Sequence, residues 1–304
     1  MIAPYQKLPY VIPFRFSDVD DDARVQAEIL VPYNVAVYAI TMFVSSSPQA
    51  AFYHANIQFL NYHNGQVLFD EPLANLCMQA DARTPWMLPS KWYIRKNEKI
   101  ICTLDSADDV ATRTYYISLL GWVCDEDPNP GIQPFAYSFP ITVGFQDNIS
   151  GATEALGFNV GFTGTLAKHM LYNFDIHALV LDPFGGDPST GGSVTDDVPV
   201  MAFQVSTQKR KLFDRFIING VAGGGSIFSQ GDVIPLLPGT AASVYGFPAD
   251  AILQWKLPKP ERVCKGELVR VDISPAPTYL GSDALHSSLT QRCTMAIIGN
   301  HIAS

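Results

Sequence analysis

Nineteen residues starting at Trp86, WMLPSKWYIRKNEKIICTL, return from Trp255 as WKLPKPERVCKGELVRVDI with no gap. Trp86/Trp255, Leu88/Leu257, Pro89/Pro258, Lys96/Lys265 and Glu98/Glu267 all share one spacing. An echo at fixed period constrains architecture before any residue is given a role, because it means that one folding unit is written twice. Two flanking echoes extend it. Tyr10 and Pro13 recur as Tyr137 and Pro140 at a shorter spacing, and Leu119-Leu120-Gly121 recurs as Ile297-Ile298-Gly299 at a longer one. The growing spacing places insertions in the second copy, most of them ahead of its Trp stretch.

Between the echoes the chain reads as strands. Alternating or β-branched runs lie at Tyr10–Phe16, Ala27–Val31 and Val35–Val44, and Ile57–His63 and Gln66–Phe69 flank Asn64-Gly65, a strong hairpin signal. Leu73–Ala80 reads as a short helix or a connector. After the Trp86 stretch come strands at Lys99–Leu104 and Thr114–Val123, then the turn-rich run Asp125–Gly131. The expected organisation is a first module at 1–124 with a short N-terminal arm, a linker at 125–136 and a second module at 137–304. Val200–Val205 and Phe213–Asn219 add strands to the second module, and Asp182–Ser193 and Gly220–Pro248 are long loops of the kind that make contacts. No long stripe with a helical period appears. About eight short strands per module predict an all-β chain of two tandem jelly rolls, each an eight-stranded antiparallel β-sandwich. The Leu-Pro after each Trp is expected to turn the chain across the sandwich edge. Lys96/Glu98 and Lys265/Glu267 are expected at the polar turn before the next strand.

Composition narrows the functions. A chain of 304 residues suits two domains. Its 20 basic and 29 acidic residues, net −9, argue against a nucleic-acid face, since phosphate contacts need clustered cations. The one basic run, Lys209-Arg210-Lys211, reads as a solvated loop edge. Cys77, Cys102, Cys124, Cys264 and Cys293 show no metal or redox spacing and read as buried thiols. MIAPYQKLPY has no secretory pattern, and no apolar run is long enough to span a membrane, so cytoplasmic synthesis is expected.

Catalytic patterns are equally sparse. Ser226 follows three glycines but lacks the G-x-S-x-G spacing, and no phosphate-binding glycine motif is present. His54/His63 and His169/His177 have spacings that do not suit a cupin metal site. The acidic turn holding Asp18, Asp20, Asp21 and Asp22 offers oxygens to a Ca²⁺ but lacks the glycine and distal glutamate of an EF-hand loop. A solvated turn is its first reading. No other cofactor is expected. A glycosidase would need two carboxylates flanking the scissile bond, and 29 acidic residues leave that open.

The duplicated module, with its W-x-L-P and K-x-E echo, strand order and long second-module loops, resembles the double jelly-roll major capsid proteins of tailless icosahedral bacteriophages with an internal membrane. The resemblance covers about residues 10–301 and is architectural. It implies a non-enzymatic virion protein assembled in the host cytoplasm, with three copies forming a pseudo-hexagonal capsomer of six upright barrels. It also implies neighbouring capsomers and minor capsid or penton proteins as partners, outward-facing long loops, and a base with the N-terminal arm over the viral membrane, with no direct nucleic-acid contact. Trp92, Tyr93, Phe184 and Tyr245 are candidate exposed contacts, with burial inside its own barrel the first reading of each. The alternatives are a two-barrel glycan-binding or glycan-processing protein, or another virion component such as a spike or adaptor.

Overall fold

The computed structural model describes residues 8–19, 23–44, 55–74, 85–106, 113–146, 160–162, 164–182, 201–218, 255–275 and 289–303. The long second-module loops, Phe184, Tyr245 and Ser226 lie outside the described residues.

The first module forms β1 (Pro9–Val19), β2 (Arg24–Leu30), β3 (Val35–Val44), β4 (Ala55–Asn61), β5 (Leu73–Ala74), β6 (Trp86–Ile94), β7 (Lys99–Ser106) and β8 (Arg113–Val123). They make two antiparallel sheets, β1-β8-β3-β6 and β2-β7-β4-β5. The second module forms β9 (Ile132–Gln146), β10 (Val160–Phe162), β11 (Gly164–His169), β12 (Asn173–Asp182), β13 (Met201–Thr207), β14 (Lys211–Ile218), β15 (Trp255–Val263), β16 (Leu268–Pro275) and β17 (Leu289–Ile302). Its sheets are β9-β17-β12-β15 and β11-β16-β13-β14, with β10 added outside β9. In both modules strands one, three, six and eight share a sheet, and two, four, five and seven share the other. This strand order is the jelly roll, written twice.

Period-two alternation builds each core. In β1, Ile12, Phe14 and Phe16 point inward while Val11, Pro13 and Arg15 face out. Phe14, Phe59, Phe69 and Trp92 fill the first sandwich, and Phe139, Phe174, Ile176 and Val271 the second.

Sheet register aligns the two copies residue by residue. Gly121 faces Tyr10, and Gly299 faces Phe135, so the counterpart of Tyr10 is Phe135 and not the Tyr137 that the sequence echo suggests. A slip of two keeps every side chain on its face, which is why the sequence echo could settle on the wrong pair. From Tyr10/Phe135 the spacing widens in steps through Asn34/Asn173, Asn61/Thr207, Trp86/Trp255 and Gly121/Gly299. Each step falls in a connection at one end of the sandwich. The β2–β3 and β6–β7 turns at the other end match their counterparts in length.

Several expectations are corrected. Leu88-Pro89 and Leu257-Pro258 do not turn the chain across an edge; they lie inside β6 and β15, both edge strands. There they make a bulge, so that Val37 faces Trp92 while Ala39 faces Met87, and Ile176 faces Glu261 while Ala178 faces Lys256. Proline lacks the N–H of a ladder, and an edge strand with a bulge accommodates it. Gly65 makes the expected tight turn at φ +68, but the returning arm pairs with β4 only briefly, through the Leu60–Val67 bridge and the Leu68 N to Phe59 O bond, before its backbone turns to β9. Leu73-Ala74 is a strand, and 75–80 lie outside the described residues. Trp92 is a core residue, and Cys264 is exposed because its turn projects into solvent.

Candidate assembly surfaces

The repeated glutamates clamp the β6–β7 and β15–β16 turns. Glu98 Oε2 accepts the Arg95 amide at 2.8 Å, and Glu267 Oε2 accepts the Cys264 amide at 3.0 Å. The turn between them holds Asn97 at φ +66 and Gly266 at φ +83. Each turn is tied to the preceding crossover by the same three bonds. Asn97 N donates to Val31 O, Val31 N to Glu98 O and Lys96 N to Asn34 Oδ1; Gly266, Met170, Lys265 and Asn173 repeat them. Asn34 and Asn173 are functional partners of the echo that the sequence reading missed, because they sit at a different spacing. Lys96 and Lys265 contribute backbone amides here rather than their charges.

Trp86 and Leu88 are on the buried side of β6, the sheet edge that lies beside β9 of the second module. Trp86 is buried with its ring 6.0 Å from Phe69, and both belong to one apolar cluster with Ala136, Ala178, Val180, Ala296 and Ile298. Those five residues lie on the face of β9-β17-β12 turned away from the second module's own core. They are small or aliphatic, so the first module can approach closely. Residues 68–70 complete the joint by bonding to the free edge of β9: Ala136 N donates to Leu68 O, and Asp70 N donates to Ala136 O. The strands there run parallel through the Phe69–Ala136 bridge. Asp70 Oδ1 accepts the Ser138 amide at 2.7 Å and Oδ2 meets Lys168 Nζ at 2.6 Å, with Glu71 on the same ammonium at 2.7 Å. Burial pushes the Asp70 carboxyl above its usual range, against the pull of Lys168 and Ser138.

Exposed large apolar side chains among the described residues fall into two groups. Leu8, Leu30, Tyr33, Tyr62, Ile132, Leu171 and Tyr172 lie at the tight-turn end of the two sandwiches, Tyr33 and Tyr172 being counterparts. Val11, Phe43, Met87 and Tyr116 lie on the outer face of the first module's β1-β8-β3-β6 sheet. Four ion pairs lie at the tight-turn end among the described residues: Lys99 with Glu28, Lys209 with Glu267, Arg210 with Glu261 and Arg262 with Asp175. Lys209 and Arg210 of the basic run are thus ion-paired at a turn edge.

Beside Tyr172 sits a buried aromatic cluster. His301 Nε2 lies 2.9 Å from the Tyr137 hydroxyl, and Phe135 stacks on the imidazole with centroids 4.1 Å apart. Burial pulls His301 down to about 4 and lifts Tyr137 to about 12.

Of the candidate calcium ligands, Asp18 is exposed at φ 52 near the end of β1, and Asp20, Asp21 and Asp22 lie outside the described residues. Among the described residues, no three of His, Cys, Asp and Glu gather as a metal site. Trp255 takes the Trp86 position in the backbone, facing Leu179 as Trp86 faces Ile40.

No protein-family model matches the chain, and no curated protein matches it in sequence. Solved structures do. Major capsid proteins are among its structural neighbours. It is similar to the major capsid protein P2 from bacteriophage PM2 (10% identity, 97% of this chain and 98% of that one, TM-score 0.41). It is also similar to the STIV MCP (8% identity, 98% and 97%, TM-score 0.43). A peptide-N(4)-(N-acetyl-β-D-glucosaminyl)asparagine amidase lies in the same range (8% identity, 97% and 98%, TM-score 0.38). Likeness at this level does not separate a shell protein from an enzyme, and function has to be read from the chain's own topology and surfaces.

Proposed function

We propose that this chain is a capsid shell protein, three copies of which form a pseudo-hexagonal tile of six jelly rolls in an icosahedral virion. The observation that carries this reading is the parallel, side-by-side docking of two complete sandwiches within one chain. Residues 68–70 and β9 run in the same direction, so both modules send their tight-turn ends one way and their insertion-bearing ends the other. A body with two alike side walls and two unlike ends is what a shell tile requires: the walls join neighbours, and each end meets a different environment. Native mass spectrometry and negative-stain images of the purified chain test this, with three-copy assemblies of hexagonal outline expected. A monomer at every concentration, or one that hydrolyses a glycan, overturns it.

The tight-turn end is the surface that faces lipid in this reading. Leucine and tyrosine side chains suit the membrane interface, where an apolar body is buried and a polar tip stays wet. Because the side chains that would insert are apolar or aromatic, adsorption should depend on apolar insertion and change little with salt. Flotation with neutral phosphatidylcholine vesicles is expected to carry the protein, and Tyr33→Ser with Tyr172→Ser to reduce the floated fraction several-fold. Binding that requires anionic lipid and vanishes in salt would overturn this assignment.

A further inference from the structure

The exposed face of the first module has a buried counterpart in the second. Register places Val11, Leu120 and Ala39 of β1, β8 and β3 where Ala136, Ile298 and Ala178 lie in β9, β17 and β12. The second-module set is covered by Phe69, Trp86 and their neighbours from the first module. On the first-module face Ala39 is covered within its own module and Leu120 is half-buried, but Val11 is 49% exposed, Phe43 48%, Met87 55% and Tyr116 39%. An apolar patch that is solvated in one copy of a module and sealed in the other marks an interaction surface.

The free strand edge repeats the comparison. Ala136 spends its outward amide and carbonyl on Asp70 and Leu68. Val11, its counterpart, pairs with β8 on one side only, and among the described residues its outward amide and carbonyl meet no backbone partner. The elements that would satisfy it also exist twice. Strand β14, the counterpart of β5, leaves its turn where residues 66–70 leave theirs in the first module: Gln66 O and Arg210 O accept the turn-closing amides of Asn61 and Thr207. Strand β15 is likewise the counterpart of β6, and both are sheet edges.

We infer that the outer face and free edge of β1 in the first module bind the β14–β15 side of a second copy of this chain, repeating between chains the joint made within one. The contact is heterologous: one patch meets a different patch on the next copy, so it propagates from chain to chain until rotation closes a ring. Covering Val11, Phe43 and Tyr116 removes exposed apolar area, and the Val11 edge gains strand hydrogen bonds. This inference rests on the shell reading for the closed ring; the residues themselves come from the internal repeat.

The test is the oligomeric state of the full chain across a concentration series, by sedimentation velocity and native mass spectrometry. Val11→Pro removes the outward amide without touching the bond to β8, and edge strands tolerate proline. Tyr116→Asp places a charge on the same face. Each is expected to raise the dissociation constant at least tenfold while leaving the thermal midpoint of the monomer unchanged. If the wild-type chain assembles and both folded variants assemble equally well, this face is overturned and the shell reading stands. If the wild-type chain stays monomeric at all concentrations, both fail.

Discussion

Glu98 and Glu267, counterparts in the two copies, close the same turn with the same atom: Oε2 of each accepts the amide of the residue three before it, Arg95 at 2.8 Å and Cys264 at 3.0 Å. Their surroundings differ. Glu98 is buried and also accepts the buried Asn61 amide at 2.7 Å, while Glu267 meets the exposed Lys209. Glu98→Ala should therefore cost about 2–3 kcal/mol, because it strands Asn61 as well as the Arg95 amide, and Glu267→Ala about 1 kcal/mol. Urea unfolding of both variants checks the order; equal losses would mean that Asn61 finds another partner.

Gly299 and Gly121 sit where a bulge in the neighbouring strand brings two backbones close. A Cβ on Gly299 would lie 1.9 Å from Asp175 O and 2.8 Å from the Phe174 ring; on Gly121 it would lie 2.7 Å from Val35 Cγ1 and 2.8 Å from Ala36 O. Gly121→Ala is expected to cost about 1–3 kcal/mol by overpacking and Gly299→Ala more than about 3 kcal/mol. Soluble yield and thermal midpoint report the ranking, and an unperturbed Gly299→Ala would contradict the packing of β17 on β12.

His301 ties stability to pH. Its folded value, about 4, lies below the ordinary value of 6.5, so the unfolded chain binds the extra proton between the two. Stability from the neutral, buried ring is complete above about pH 6.5 and is lost as pH falls toward 4, by about 3 kcal/mol across that window. His301→Phe keeps a ring against Phe135 and should flatten this slope. Denaturant midpoints measured at several pH values for both chains decide it, and an unchanged slope would assign the pH dependence to other groups.

Lys168 serves the joint between modules. Lys168→Met leaves Asp70 partly buried without its cation and should cost about 1–3 kcal/mol. Asp70→Asn added to Lys168→Met should recover part of the loss, since the amide oxygen can still accept from Ser138. A double-mutant cycle measures the coupling; additivity within error would show that the pair contributes nothing to the joint.

The sequence by itself determined that one module is written twice, that it is built of strands, and which residues of each strand point inward. Period-two alternation around Ile12, Phe14 and Phe16, and the ungapped Trp86/Trp255 echo, depend only on local pattern. Alternation says which side of a strand is apolar; it does not say what covers the other side. Only the tertiary structure decided that Ala136, Ala178 and Ile298 are sealed by the first module while Val11 and Tyr116 stay open. It also decided that residues 68–70 leave β4 for β9, a choice made by an edge donor far along the chain, Ala136. The two-residue slip between Tyr10/Tyr137 and Tyr10/Phe135 has the same origin, because both registers place the same faces inward and only the pairing with Gly121 and Gly299 separates them.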